Sequence, residues 1–455
     1  MHNLIPWQMI LGSALLSFIL LCCFWFLDSK CHFTIKPLVW TVIVFVYAVV
    51  AYVVAMSYGN HWQGLPLADY SNVYLAALAV ADGKGLENEA YFLVYGNNIK
   101  PMITLSWLIH LARILGIQNE YYLLLAFTVG STALALASLI YLLKKDSARI
   151  VAAVLFICCI PVWFYNTIFY TDTLSFSTAI ISIALLEKEN REKEDVFCRW
   201  VHDCLLVVVL TIGASIKITV VIPVIAYLVI RVFEKSVSFK RLVVLLCVVA
   251  LAETVLTNFY SRYPIYEKAK GTENPVISWI GLGLEGDGSW SSGYDYIHDL
   301  TALPTKLEKS EFARDYIKQN YKKAFTFDHI VAKTRFNYAS GNFGAHGLVS
   351  EAQAGKVFRE MFDPYGRFYW RTSQICFTYV MALYFIGLFS AIVGMARREK
   401  PDRVLLVGYL SFIGMFLFLM LWEANNRQLY NQVPILILTA TLSMRSMIHE
   451  KRMAK

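Results

Sequence analysis

The sequence predicts an all-α polytopic membrane protein with about eleven transmembrane helices, in a range of ten to thirteen. Three observations lead there. Apolar residues fill 57% of the 455 positions and charged residues only 16%, where a soluble domain carries roughly a quarter. The apolar residues gather in runs near the length of about 20 that crosses a bilayer as a helix. Lysine and arginine gather in alternate short connections, as cytoplasmic loops do. A soluble chain of this composition would expose adhesive apolar patches over its surface. The 41 basic and 33 acidic residues leave a net charge of +8 without a dense basic cluster, so no nucleic acid is expected as a partner.

The first run, 7–27, is long enough to span, and no basic stretch precedes it, which sets it apart from a signal peptide. The remaining runs are 37–57, 121–143, 149–168, 173–187, 201–216, 218–232, 241–259, 373–396, 404–422 and 433–447. Basic connections at 144–149, 188–199, 231–241 and 397–403, together with the C-terminal tail, share one side if these runs alternate. That holds provided Pro101–Gly116 stays at the outer interface; its 16 residues span about 24 Å as a helix and carry His110 and Arg113. The N-terminus is then outside the cell membrane and the C-terminus cytoplasmic.

The chain divides into N-terminal transmembrane helices (1–57), a first outer loop with interfacial helices (58–120) and a transmembrane core (121–259). A long outer segment (260–372) and C-terminal transmembrane helices with a cytoplasmic tail (373–455) follow. Aromatic residues throughout the outer segments, among them Tyr91, Trp279, Trp290 and Phe343, mark them as ordered. Seven of the nine cysteines lie in or beside apolar runs and none lies in 260–372, a distribution that suits membrane-buried thiols rather than disulfides.

Polar residues at the outer ends of the runs carry the chemistry. Asp69 opens a short amphipathic helix that Asp82-Gly83 ends; its carboxylate suits an N-cap or a base for a substrate hydroxyl. Asp172 sits in a tight turn between two runs, as another cap or as a costly carboxylate near hydrocarbon. Brought together, the two acids could split their pKa values or share a divalent cation. Lys100, before Pro101, and Lys217, between two runs, either snorkel to headgroups or together bind an anion. The 422–432 turn is dense in amides; Glu423 and Arg427 stand at i,i+4, the spacing of a local helical ion pair. The glycines of 281–288 suggest a mobile substrate loop. His61, His298, His329 and His346 lack metal-ligand spacing.

These residues, in this order, resemble the GT-C superfamily of membrane glycosyltransferases, which includes the protein O-mannosyltransferases and the aminoarabinose transferase of lipid A. Asp69 to Gly83 looks like the acidic first-loop residue and Ala-rich surface helix of that group, and Lys100-Pro101 like its Lys-Pro. Thr171-Asp172 and the turn holding Glu423, Arg427, Tyr430 and Pro434 look like its later motifs. Tyr170 to Leu174, Ser215 to Thr219, and Ser278 to Leu282 followed by Gly293, Tyr294 and Asp295 look like Gram-positive members.

The resemblance implies an inverting transfer of one sugar from a polyprenyl-phosphate carrier to a hydroxyl of a cell-envelope glycan, lipid or protein, on the outer face. Asp69 would be the general base and Asp172 a second catalytic acid. Lys100, Lys217 and Arg427 would bind the donor phosphate. Tyr70, Asn97, Asn98, Tyr170, Trp279, Tyr294, Asp295, Glu423 and Tyr430 would contact substrate. The rivals are a transporter or flippase of lipid-linked glycans, with mid-span charges and broken helices, and a glycan polymerase or ligase.

Overall fold

The computed structural model describes residues 7–30, 34–58, 69–191, 196–235, 239–351, 355–398 and 400–453, and among them every regular element is helical. His61 lies outside the described residues, as does the start of the first outer loop.

Two long helices open the chain: α1, Trp7–Lys30, and α2, Pro37–Tyr58. Their buried positions include Ser13, Ser17, Tyr47, Ala51 and Ala55, while Leu11, Leu15, Phe18, Phe45 and Val53 face outward. Small and polar side chains inside with large apolar ones outside invert the soluble pattern, and hydrocarbon surroundings favour that arrangement. The Ser17 hydroxyl, for example, donates to the Ala382 carbonyl at 3.0 Å, across to a later helix.

Helix α3, Asp69–Ala81, packs along α5, Ile99–Ile114, with the short α4, Glu89–Val94, between them in sequence. Gly83, at φ +69°, turns the chain out of α3 in a conformation that a Cβ would resist. Arg113 of α5 then ties down that end, 2.7 Å from Asp82. Pro101 falls in the first turn of α5, where its missing N–H costs nothing.

Helix α6, Tyr121–Leu142, is a continuous span. The run at 149–168 is instead broken: α7, Asp146–Cys158, stops, and α8, Ile160–Tyr165, restarts with Pro161 in its first turn. Proline's ring and missing N–H prevent one helix from running through. The run at 173–187 likewise resolves into α9, Thr171–Leu174, and α10, Thr178–Arg191. Helices α11, Val196–Ile216, and α12, Ile222–Phe233, are separated by Lys217 and a 3-10 turn, with Pro223 opening α12. Helix α13, Phe239–Tyr260, leads into the long segment 260–372.

The long segment that follows holds α14 (Pro264–Ala269), α15 (Ser278–Leu282), α16 (Tyr294–Ala302), α17 (Lys306–Asn320), α18 (Phe327–Tyr338), α19 (Ala345–Glu351) and α20 (Lys356–Phe362). A small core of its own gathers Leu282, Tyr296, Ile297, Leu300 and Ala313. The chain returns through α21, Tyr369–Arg397, α22, Arg403–Leu421, and α23, Val433–Met453. Helices α1, α2, α6, α21 and α22 are each long and apolar enough to cross a membrane, and the stretches Trp200–Ile216, Ile218–Phe233 and Cys247–Tyr260 are shorter and apolar. The interruptions around α9, at Lys217 and at 422–432 touch one another. Irregular backbone within a membrane protein needs protein around it, and here it surrounds a charged cluster.

Candidate active site

Residues remote in sequence meet where those interruptions touch. Lys217 donates from Nζ to Asp172 Oδ1 and, at 3.3 Å, to the backbone carbonyl of Arg427. The Lys217 and Asp172 side chains are only 8% and 1% exposed, so both charges are desolvated and each depends on the other. The second carboxylate oxygen of Asp172 accepts no hydrogen bond from the described residues. Such a buried, half-satisfied charge is costly.

Arg427 faces the other acid. Its Nη2 lies 3.4 Å from Asp69 Oδ2, and its guanidinium sits 5.5 Å from the centre of the Tyr170 ring. Close packing fixes its stem: Gly344 has φ +75°, and a Cβ there would stand 2.6 Å from Arg427 Cγ. Asp69 heads α3, and its Oδ1 accepts from the Tyr91 hydroxyl at 2.6 Å. The Tyr91 oxygen accepts from Asn98 Nδ2 at 2.5 Å, and Asn98 Oδ1 accepts from the Tyr170 hydroxyl at 2.9 Å. Burial, with the charge of Asp69 behind it, pushes the Tyr91 hydroxyl far above the usual phenol range, so it stays a donor.

Glu423 is half-buried at the end of α22, and burial raises its carboxyl to about 7; Asp69 adds to the shift, while Arg427, Asn425 and Lys333 oppose it. The 422–425 stretch is irregular, so Glu423 and Arg427 do not stand at helical spacing. Much of the amide capacity of this turn holds the turn itself. Asn431 donates to Ser175 at 2.6 Å, Gln432 to the Thr219 carbonyl at 3.5 Å, and Asn426 to Ser340 at 3.0 Å.

Other residues named from the sequence lie elsewhere. Lys100 bonds Glu253 of α13 and lies 5.7 Å from the Tyr260 ring centre. Glu253 is a charge inside the run 241–259 that hydropathy alone passes over. Tyr70 is buried and stacks on Tyr74 at 6.2 Å, and Tyr430 is buried against Tyr165 at 4.0 Å. Trp279 stacks on Tyr95 at 6.4 Å, and the exposed Tyr294 meets the edge of Trp290 at 5.4 Å. Asn97 and Asp295 are exposed.

The glycine-rich loop packs closely against the end of α22 and against α18. A Cβ at Gly283 would lie 2.6 Å from the Trp422 carbonyl, and one at Gly288 2.7 Å from Lys333 Cε. Its glycines allow close backbone approach. Lys333, buried in α18, donates to the carbonyls of Gly283 at 2.8 Å, Met420 at 3.0 Å and Trp422 at 2.7 Å. Sequence reasoning missed Lys333, because nothing in its surroundings separates it from a surface lysine. It missed Tyr91 for a similar reason: its partners are 7 and 22 residues away.

Among the described residues no group of three or more His, Cys, Asp or Glu side chains is placed to hold a metal. The donor set does not fit a cation shared by Asp69 and Asp172, because Arg427 and Lys217 already hold these two carboxylates.

A family model described as "Conserved hypothetical integral membrane protein" matches residues 4–448. The chain belongs to that family. Its membrane character agrees with the outward-facing apolar helices. No curated protein matches the chain. Among solved structures, ArnT from Cupriavidus metallidurans in the apo state is similar at 10% identity and a TM-score of 0.38, covering 90% of this chain and 78% of that one. The same protein bound to undecaprenyl phosphate is similar at 11% and 0.36, covering 92% and 79%. For this family member the fold rests on its own helices.

Proposed function

We propose that this chain is an inverting glycosyltransferase that moves one sugar from a polyprenyl-phosphate carrier to a hydroxyl acceptor at the outer membrane face. One observation supports the reading: a carboxylate at the head of α3, Asp69, and a guanidinium, Arg427, lie 3.4 Å apart beside the Lys217–Asp172 pair. Such a cluster has what the reaction needs. Asp69 takes the acceptor proton while the acceptor oxygen bonds to the anomeric carbon. The bond from that carbon to the carrier phosphate breaks, and its electron pair leaves with the phosphate. Arg427 and Lys217 stabilise the charge that grows there, the larger contribution in a dry site. Asp172 holds Lys217 in place. In this reading the N-terminus is outside and the C-terminus cytoplasmic, and the acceptor is a cell-envelope glycan, lipid or protein.

The test is transfer of radiolabelled sugar from a panel of polyprenyl-phosphate donors by purified protein, comparing wild type with Asp69→Asn. A fall of about 10²–10⁴-fold is expected for the loss of a general base, with donor binding retained. Equal transfer by both would remove Asp69 from the chemistry.

A second reading has two observations in its favour. The Lys100–Glu253 pair puts charge inside an expected span, and α7 and α8 are broken, as in carriers of lipid-linked glycans. Movement of such a glycan across vesicles, without transfer, would select it.

A further inference from the structure

Five side chains from separate elements close a ring: Asp69, Tyr91, Asn98, Tyr170 and Arg427. The hydrogen bonds in it run one way. Tyr170 donates to Asn98, Asn98 donates to Tyr91, and Tyr91 donates to Asp69 Oδ1. An ionised carboxylate only accepts, so Tyr91 must give its proton to Asp69 and accept from the Asn98 amide nitrogen; the carboxylate thereby fixes the direction of the whole chain. At Asp69 the two oxygens differ. Oδ1 is held at 2.6 Å by a neutral donor, and Oδ2 is met at 3.4 Å by Arg427. The short bond is the firmer one; the long one is more easily exchanged.

We infer that Tyr91 and Asn98 are positioning residues that lock Oδ1 of Asp69, leaving Oδ2 to exchange Arg427 for the acceptor hydroxyl once a phosphate draws the guanidinium away. The inference rests on the transferase reading above and adds an order to it: donor first, then an armed base. While Arg427 rests on Oδ2, the carboxylate is a poor proton acceptor; a bound phosphate competes for the same guanidinium. Because Tyr91 remains bonded throughout, Asp69 keeps its aim when Arg427 departs.

Among the described residues, the charged and titratable groups that face Asp69 are Tyr91 and Tyr95 from the α4 side and Arg427 and Glu423 from the 422–432 turn. On α19, which packs against α3, His346 lies within electrostatic reach of Arg427. None of these is changed in the test except Tyr91.

The experiment follows the Asp69 carboxyl directly, by carbon-13 aspartate spectra of full-length protein in lipid nanodiscs, assigned with Asp69→Asn. Wild type, Tyr91→Phe and Asn98→Leu are titrated with and without undecaprenyl phosphate as the probe. Loss of a donor to the ionised form favours the protonated form, so the Tyr91→Phe spectra are expected to change over at higher pH than those of wild type. Asn98→Leu should shift the midpoint in the same direction by less, and the probe should raise it in wild type. The acidic limb of kcat/KM should move with the Tyr91→Phe shift. Unchanged midpoints in both variants, each with wild-type thermal unfolding, would overturn the lock. A probe without effect on wild type would overturn the exchange at Oδ2. Midpoints that shift as expected in a protein that transfers no sugar from any donor would sink the transferase reading and leave the lock standing.

Discussion

Lys217 and Asp172 form a buried pair whose part in stability can be measured apart from the role proposed for it in binding. Removing one partner leaves the other charge in a dry site, so Lys217→Met is expected to lower stability by about 3–5 kcal/mol. The double variant Lys217→Met with Asp172→Asn should recover most of that loss, as measured by thermal unfolding in detergent. If the proposed transferase reading holds, the double variant should still bind undecaprenyl phosphate more weakly than wild type, because the ammonium is absent from it. Glu423 carries a pH signature of its own. Its carboxyl rises from the usual 4.5 to about 7 on folding, so the folded chain binds this proton more tightly than the unfolded chain. That contribution is full below about 4.5 and is lost as pH rises through about 7. Glu423→Gln should therefore flatten the fall of melting temperature over this window; an unchanged slope would place the titrating group elsewhere. The acids of this site were legible early, because a carboxylate at the end of an apolar run is conspicuous. Tyr91 was not, since a neutral side chain acquires a role only through the partners that folding gives it; Asn98 stood among the expected substrate contacts, and its bond to Tyr91 came only with the fold.

At the scale of elements, the site is built by interruptions. Pro161, Pro223 and Pro434 each open a helix just after a break. The sequence contains those prolines, yet hydropathy averages across Pro161 and returns one continuous run at 149–168. The Ser340–Gly344 turn shows what such irregular backbone does: Gly341 and Gly344 adopt φ of +61° and +75°, and Phe343 joins them at +54°. Its carbonyl accepts from the Tyr165 hydroxyl, which holds the turn against Arg427. Gly344→Ala should cost about 1–3 kcal/mol from the left-handed backbone alone. It should also weaken phosphate binding by displacing Arg427, which isothermal titration with undecaprenyl phosphate can separate from unfolding. Lys333 acts between elements in another way, joining α18 to the end of α22 and to the glycine-rich loop. Its ammonium is itself strained by burial, which lowers its pKa to about 8. Lys333→Met leaves three carbonyls without their donor, and faster limited proteolysis within 281–296 is the expected outcome.

For the whole molecule, the distribution of side chains over α1, α2, α6, α21 and α22 makes lipid the solvent of the outer face. The transferase reading further requires the cluster and the 260–372 segment to lie on the non-cytoplasmic side. In a background without native cysteines, Ser291→Cys should be labelled by a membrane-impermeant maleimide in intact cells. Lys400→Cys, in the connection before α22, should react only after permeabilisation. The opposite pattern would reverse the orientation.

The sequence by itself determined the solvent and the class of fold, because apolar run length and charge placement are local and additive properties. It also marked Asp69, Asp172, Lys217 and Arg427 as residues with something to explain. Only the tertiary structure decided how they pair. Lys100 and Lys217 look alike in sequence, each a lone lysine beside an apolar run, yet one meets Glu253 and the other Asp172. Pairing of buried charges depends on which helix ends come together, and helix breaks of a few residues, averaged away along the chain, set that meeting in space.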